Sequence, residues 1–97
     1  MDIIIYTTPK TLLHKQDTNY ALFYWSLPNF PKHIDIEEEG KIYFATKGFI
    51  RGYFEIDIIE GNEIHWQPET WTKIKPIPCK PFQGFKYFKE KRNEKVS

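Results

Sequence analysis

A strict alternation of side chains over residues 50–58 constrains the fold of this chain more than any other feature. The even positions hold Ile, Gly, Phe, Ile and Ile and would share one face of a strand, while Arg, Tyr, Glu and Asp between them would share the other. A second apolar run, at 42–45, precedes this segment, and Lys47 and Gly48 lie between the two. Because glycine tolerates the positive φ of a tight connection, the stretch predicts an antiparallel hairpin with Lys47 and Gly48 at its tip.

Turn residues and prolines divide the remainder of the chain into short elements. Gly61 and Asn62 predict a second turn, so that a third strand would extend the hairpin into an antiparallel meander. Pro76, Pro78 and Pro81 predict irregular structure before the last strand. The other predicted elements are a central strand at 2–6, a short helix that Thr8 caps and Pro9 begins, an aromatic strand at 19–26, a long loop at 28–40, a single helical turn at 68–74 and a closing strand from residue 82.

Length and aromatic content bound the architecture. A chain of 97 residues builds one domain with one modest core, which we expect to span residues 1–97 with a disordered tail at 90–97. Aromatic residues make up 18% of the chain, and a few large rings fill a small barrel efficiently. The pattern predicts a mainly β fold with one or two short helices. We expect a partly closed antiparallel or mixed barrel of about five to six strands, because closure removes exposed strand edges.

Cysteine and histidine usage limits the possible chemistry. Cys79 is the only cysteine, which excludes an intrachain disulfide and a cysteine zinc site and favours a reducing cytoplasm. The longest apolar run, at 21–25, is far shorter than a membrane span, so we expect no membrane contact. The three histidines lack ligand-like spacing, and no phosphate-cradling glycine loop or serine elbow occurs. We therefore expect neither a metal nor a cofactor.

The charge of the chain is segregated although its net charge is only +1. Residues 1–72 contain 6 Lys/Arg and 11 Asp/Glu, a balance of −5, whereas residues 73–97 contain 8 and 2, a balance of +6. A basic segment of this kind can contact phosphates through counterion release, and it can equally serve only to keep a tail soluble.

Three segments resemble the ASCH branch of the PUA-like superfamily. Residues 40–43, "GKIY", are similar to its G-D-x-I-Y strand entry with Lys41 in place of the acidic residue, and residues 52–56 are similar to its G-x-F-x-I strand. The segment "PIPCKPFQGFKYF" at 76–88 resembles its closing G-F-R-Y strand, with Lys86 where arginine is common. The resemblance implies a small barrel whose cleft, between the barrel and flanking helices, binds RNA or a nucleotide-like ligand.

Cationic side chains and tryptophans are the candidate binding residues. Lys47 and Arg51 retain their charge, and arginine can bind a phosphate through two hydrogen bonds. Aromatic rings can stack on bases, and lysines interleave with rings between residues 71 and 87. We predict noncatalytic binding of RNA or a nucleotide, with a modified base among the possible ligands, through a cleft lined by Trp25, Lys47, Gly48, Arg51, Trp66, Trp71, Lys73, Lys80 and Lys86.

The same residues are also compatible with roles other than nucleic-acid binding. Arg51 could pair with Glu55 on the solvated face of the hairpin, and the tryptophans could fill the core. The near-neutral net charge suits a protein-interaction module that binds no nucleic acid. The family resemblance also allows a small amidohydrolase that acts on an acylated nucleoside, for which Thr46, Lys47 and Glu55 supply the residue types. We favour the noncatalytic protein, because a hairpin tip is a poor place to bury a lysine and lower its pKa.

Overall fold

The computed structural model describes residues 2–17, 23–26 and 40–88, which are predominantly β-strand. The mainly β class with little helix is therefore confirmed. In chain order the elements are β1 (Asp2–Tyr6), α1 (Pro9–Lys15), β2 (Phe23–Ser26), β3 (Lys41–Thr46), β4 (Phe49–Glu60), β5 (Glu63–Trp66), a 3₁₀ turn (Pro68–Thr70), β6 (Thr72–Pro78) and β7 (Phe85–Phe88).

The seven strands form one mixed sheet. Six of them follow the order β2-β5-β4-β3-β1-β7, and the seventh, β6, pairs with β4 outside this order. The predicted meander of β3, β4 and β5 is confirmed, since both of its pairings are antiparallel. β1 runs parallel to β3, with Tyr6 opposite Ala45, and antiparallel to β7, so it is an interior strand next to the end of the sheet and is buried on both faces.

The sheet curls without closing into a barrel. Trp25 of β2 and Phe44 of β3 belong to strands three steps apart in the sheet order, which in a flat sheet corresponds to about 14 Å. Their ring centroids are nevertheless 5.5 Å apart. The register of the long strand β4 against β5 shifts between Ile56 and Ile58, and such an irregularity bends a strand. The expectation of a partly closed barrel is thus corrected to an open, strongly curled sheet.

The core has two parts, one on each face of the sheet. On the face that we call the helix face, α1 packs Leu12 against residues including Ile5, Phe44 and Phe54. On the opposite face, which we call the crossover face, Ile4, Tyr43, Ala45 and Ile50 are covered by side chains from residues 74–82 and by Phe88. This covering segment leads from β6, beside β4, to β7, beside β1.

The prediction of irregular structure at the three prolines is wrong for residues 76–78, which belong to β6. β6 pairs with β4 at four positions, and its register shifts opposite the segment between Ile50 and Gly52. Pro76 lies within this shift and Pro78 lies at the end of the strand, where a missing backbone donor is tolerated. The helical turn predicted over 68–74 is accordingly limited to Pro68–Thr70.

The short helix α1 forms as its sequence indicates. The Thr8 hydroxyl accepts a hydrogen bond from the Thr11 backbone N–H at 3.1 Å, and Pro9 occupies the first turn, where no backbone donor is needed. Of the other predictions, the loop at 28–39, the start of the aromatic strand at 19–22 and the tail at 90–97 lie outside the described residues. No helix in the described part of the chain is long and apolar enough to cross a membrane.

Candidate nucleic-acid interface

The β3–β4 hairpin tip lies at one end of the sheet together with the ends of two other strands. Tyr6 at the end of β1 is opposite Ala45, and Pro78 at the end of β6 is opposite Phe49. The Cys79 backbone N–H donates to the carbonyl oxygen of Gly48 at 2.9 Å, which draws the chain after β6 to the tip. We call residues 6–8, 45–51 and 77–86 the tip end.

The tip end carries cations but no carboxylates. Its three segments contain four Lys/Arg residues and no Asp or Glu. All four are among the residues that the sequence predicts to bind a ligand, and within the described residues none of them forms an ion pair with a carboxylate. The four are Lys47, Arg51, Lys80 and Lys86.

The hairpin tip holds Lys47 and Gly48 in a fixed conformation. Both residues have positive φ, 50° for Lys47 and 87° for Gly48, as the turn prediction requires of Gly48. The Gly48 backbone N–H donates to the hydroxyl of Tyr6, which connects the tip to β1. Lys47 is exposed at this turn, and Lys80 is exposed one residue beyond the Cys79 contact to Gly48. Both lysines therefore present their charge to solvent from a braced backbone.

Arg51 lies at an irregularity in the register of β4 with both of its neighbouring strands. It is missing from the register of β4 with β3, where Ala45 pairs with Ile50 and Phe44 with Gly52, and also from the register of β4 with β6. Its Nε donates to the carbonyl oxygen of Thr46 at 3.2 Å and to the hydroxyl of Thr46 at 3.3 Å. The guanidinium carbon lies 5.2 Å from the centre of the Phe49 ring. Arg51 therefore pairs with Thr46 rather than with Glu55, and these bonds use only its Nε.

A second cation–aromatic pair lies on the other side of the tip. The Nζ of Lys86 is 4.7 Å from the centre of the Phe82 ring, and Phe82 packs edge-on against Tyr6 with centroids 5.8 Å apart. Phe49 and Phe82 are absent from the ligand-binding residues predicted from sequence. Phe49 precedes Arg51 by two residues, and Phe82 precedes Lys86 by four. This short spacing between a phenylalanine and a cationic residue is the sequence signal that could have indicated them.

The carboxylates lie towards the opposite end of the sheet. Asp2, at the start of β1, accepts a hydrogen bond from the Lys41 backbone N–H at 3.0 Å. Glu55 is opposite Lys41, and the next acidic residues, Asp57 and Glu60, follow along β4. Among the described residues, these carboxylates thus lie apart from the tip end along the strand axis.

The three tryptophans lie in one aromatic cluster on the helix face, and the Trp71 ring also lies beside Gly52, next to the tip end. Trp66 is completely buried and stacks on Phe54 at 5.0 Å, so its ring is closed to a base. Its predicted role as a stacking residue is corrected to packing. Trp71 is half-buried against the same Phe54, also at 5.0 Å. Trp25 contacts Phe44, and Lys15 lies 5.7 Å from its ring centre.

Lys15 contacts a group of aromatic rings, an arrangement that the sequence did not indicate. Its Nζ donates to the carbonyl oxygen of Tyr24 at 3.1 Å and lies between 5.5 and 5.7 Å from three ring centres, those of Phe23, Tyr24 and Trp25. Burial lowers the pKa of the Lys15 ammonium.

Lys73 lies on β6 beside the tip end but outside its three segments. It is exposed and opposite Gly52, the residue that follows Arg51 on β4. Of the nine predicted residues, Lys47, Gly48, Arg51, Lys80 and Lys86 lie in the tip end, Lys73 and Trp71 border it at Gly52, and Trp25 and Trp66 lie in the aromatic cluster of the helix face.

The hairpin separates the three residues suggested for an amidohydrolase. Glu55 is opposite Lys41, which precedes Thr46 by five residues, so that Glu55 is roughly 16 Å from Thr46 along the strand axis. The Thr46 hydroxyl is buried and accepts from Arg51. In addition, no group of three His, Cys, Asp or Glu residues in the described ranges is placed to hold a metal ion.

Comparisons with known proteins return nothing similar: no family model matches the chain, and no match is found among the curated proteins or the solved structures. The resemblance to the ASCH branch stays a prediction.

The Cys79 thiol offers a test of the tip-end geometry. Burial raises the pKa of this thiol, and the positive charge of Lys86 partly lowers it. We therefore expect Lys86→Gln to shift the pKa of Cys79 further upward and to slow alkylation by iodoacetamide near neutral pH, while Lys41→Gln leaves the rate unchanged. An alkylation profile against pH measures this, and identical profiles for Lys86→Gln and the original protein would contradict the proximity of Lys86 and Cys79.

Proposed function

We propose that the protein binds RNA or a nucleotide, without catalysis, through the tip end. The observation that carries the proposal is the convergence of Lys47, Arg51, Lys80 and Lys86 at one end of the sheet, in segments that contain no carboxylate. None of these three segments contributes an acidic side chain that would repel a ligand phosphate, and each bound phosphate would release condensed counterions.

Arg51 is the central contact in this proposal. Its Nε is engaged with Thr46, and its guanidinium lies on Phe49. The two terminal nitrogens face no described acceptor and would form the fork that matches two oxygens of one phosphate. Since the side chain is already ordered, little rotamer entropy would be lost on binding.

Phe49 and Phe82 take the stacking role that the sequence predicts for the tryptophans. Phe49 is 39% exposed and Phe82 is half-buried, so both offer ring surface beside a cation. A base stacked on an aromatic ring contributes about 1–3 kcal/mol irrespective of its identity. The site would therefore bind with little sequence preference.

The test is a fluorescence anisotropy titration of a labelled single-stranded octanucleotide, as RNA and as DNA, at several salt concentrations. We expect the double variant Lys47→Gln/Arg51→Gln to bind at least about tenfold more weakly at low salt. The slope of log affinity against log salt should become shallower by about 1.4, because two phosphate contacts are lost at about 0.7 each.

Lys41→Gln is the control for position, because it removes a positive charge at the opposite end of the sheet while leaving the backbone bond to Asp2 intact. Its affinity and salt slope should equal those of the original protein. Equal affinity and slope for the double variant would refute the proposal and favour the protein-interaction module.

A further inference from the structure

The two cation–aromatic pairs of the tip end lie on opposite faces of the sheet. Phe49 is opposite Thr46, the residue that also binds Arg51, and Thr46 is two residues beyond Phe44 of the helix face. Side chains two residues apart share a face, so the Arg51–Phe49 pair belongs to the helix face. Phe82 and Tyr6, in contrast, pack in the core of the crossover face.

Lys86 belongs to that second face as well. It is opposite Ile4, a core residue of the crossover face, and its Nζ lies over the Phe82 ring. The strands that carry Arg51 and Lys86, β4 and β7, have β3 and β1 between them in the sheet order, and the two side chains lie on opposite faces of the sheet. The sheet therefore separates Arg51 from Lys86, and a single phosphate bound to Arg51 does not also contact Lys86.

Lys47 and Gly48 lie between the two pairs. The hairpin tip joins β3 to β4, and the hydrogen bond from Gly48 to Tyr6 and the contact of Cys79 with Gly48 bring the tip beside the crossover face. The exposed side chains of Lys47 and Lys80 extend the positive charge across this junction. The cations form a path over the end of the sheet rather than a single pocket.

We infer that the ligand of the tip end is a single-stranded oligonucleotide that crosses the hairpin tip and contacts both faces, rather than a mononucleotide or a duplex. This inference rests on the proposed function. A mononucleotide can contact only one of the two cation–aromatic pairs. A duplex is stiff, with a persistence length of about 150 base pairs, and does not fold over a hairpin tip. A flexible strand does, and single-strand sites on small β domains occupy about 4–16 nucleotides.

The test uses uridine monophosphate and oligouridines of two, four and eight nucleotides, an octathymidylate, and an eight-base-pair duplex. Each is titrated against the original protein, Arg51→Gln, Lys86→Gln and the control Lys41→Gln. For the eight-nucleotide strands we expect Arg51→Gln and Lys86→Gln each to weaken binding on the order of tenfold. For uridine monophosphate no more than one of these two variants should have an effect of that size.

The outcomes separate this inference from the proposed function. If uridine monophosphate binds as tightly as the octamer, or loses affinity to the same large extent in both variants, one compact site is present and the inference fails while nucleotide binding stands. Duplex binding as tight as that of the octamer also overturns it. Absence of binding to every ligand refutes the proposed function and the inference together. A large loss in both variants for the octamer, with a loss in at most one for the monophosphate, supports the crossing path.

Discussion

Replacing Phe54 with alanine is expected to lower the free energy of unfolding by about 3–5 kcal/mol, the usual cost of deleting a large aromatic side chain from a core. Phe54 is completely buried and contacts three other rings of the helix face, at 5.7 Å for Phe44 and 5.0 Å for both Trp66 and Trp71. The surrounding rings are fixed on β3, β5 and the end of the 3₁₀ turn, so they cannot close the cavity without moving strands.

Urea denaturation followed by circular dichroism measures this change. Leu13→Ala is the control, because Leu13 is 69% exposed and its truncation should alter stability by less than about 0.5 kcal/mol. Domains of this size are stable by about 5–15 kcal/mol, so Phe54→Ala should either unfold at clearly lower urea or fail to fold. A loss below about 1 kcal/mol would show that the aromatic cluster is not a packed core.

Gly52→Ala is expected to destabilise the protein by about 3 kcal/mol or more, at the upper end of the cost of overpacking. A Cβ at position 52 would lie 2.4 Å from the backbone carbonyl oxygen of Thr72 and 2.7 Å from the nearest atom of the Trp71 ring. The carbonyl belongs to the strand that pairs with Gly52, so β6 would have to separate from β4 to admit a methyl group. Glycine is needed here for close approach rather than for an unusual φ.

Gly61→Ala separates these two roles of glycine. Gly61 has φ 59° and open space around the Cβ position, so its replacement costs only the strain of left-handed backbone, about 1–2 kcal/mol. Thermal or urea unfolding of both variants should rank Gly52→Ala as the more destabilised. The reverse order would mean that β6 is not in contact with β4 at this point. Because Arg51 precedes Gly52, the variant should also weaken nucleic-acid binding if the tip end is the site.

The local sequence pattern was sufficient to predict most of the strands. The alternation at 50–58 predicted the strand β4, the turn at Lys47 and Gly48 predicted its hairpin with β3, and Thr8 with Pro9 predicted α1, because each depends on residues adjacent in the chain. The single apolar face expected over 50–58 is wrong, because the register skips Arg51 and places Ile50 in the core of the crossover face and Phe54 in that of the helix face. The prolines misled the prediction for β6, since a proline is harmful in a strand only where its missing N–H would have been paired. That requirement is set by β4, which is distant in sequence.

The candidate site was only half predictable. Charge and side-chain type identified Lys47, Arg51, Lys80 and Lys86, because these properties belong to single residues. Whether an aromatic ring is buried depends instead on the residues that surround it in the folded chain. Trp66 alternates with Ile64 on β5 and could have pointed either way, but the curl of the sheet closes it against Phe54.

The sequence by itself determined the mainly β class, the hairpin and its tip, and the division of the chain into acidic and basic parts, since periodicity, glycine and charge act locally. Only the tertiary structure decided that β1 lies parallel to β3, between β3 and β7, and that the chain after β6 returns to the tip. It also decided that Arg51 and Lys86 contact the rings of Phe49 and Phe82. These outcomes depend on pairings between residues distant in the chain, such as Ile5 with Phe85, and the burial of both sheet faces selects them.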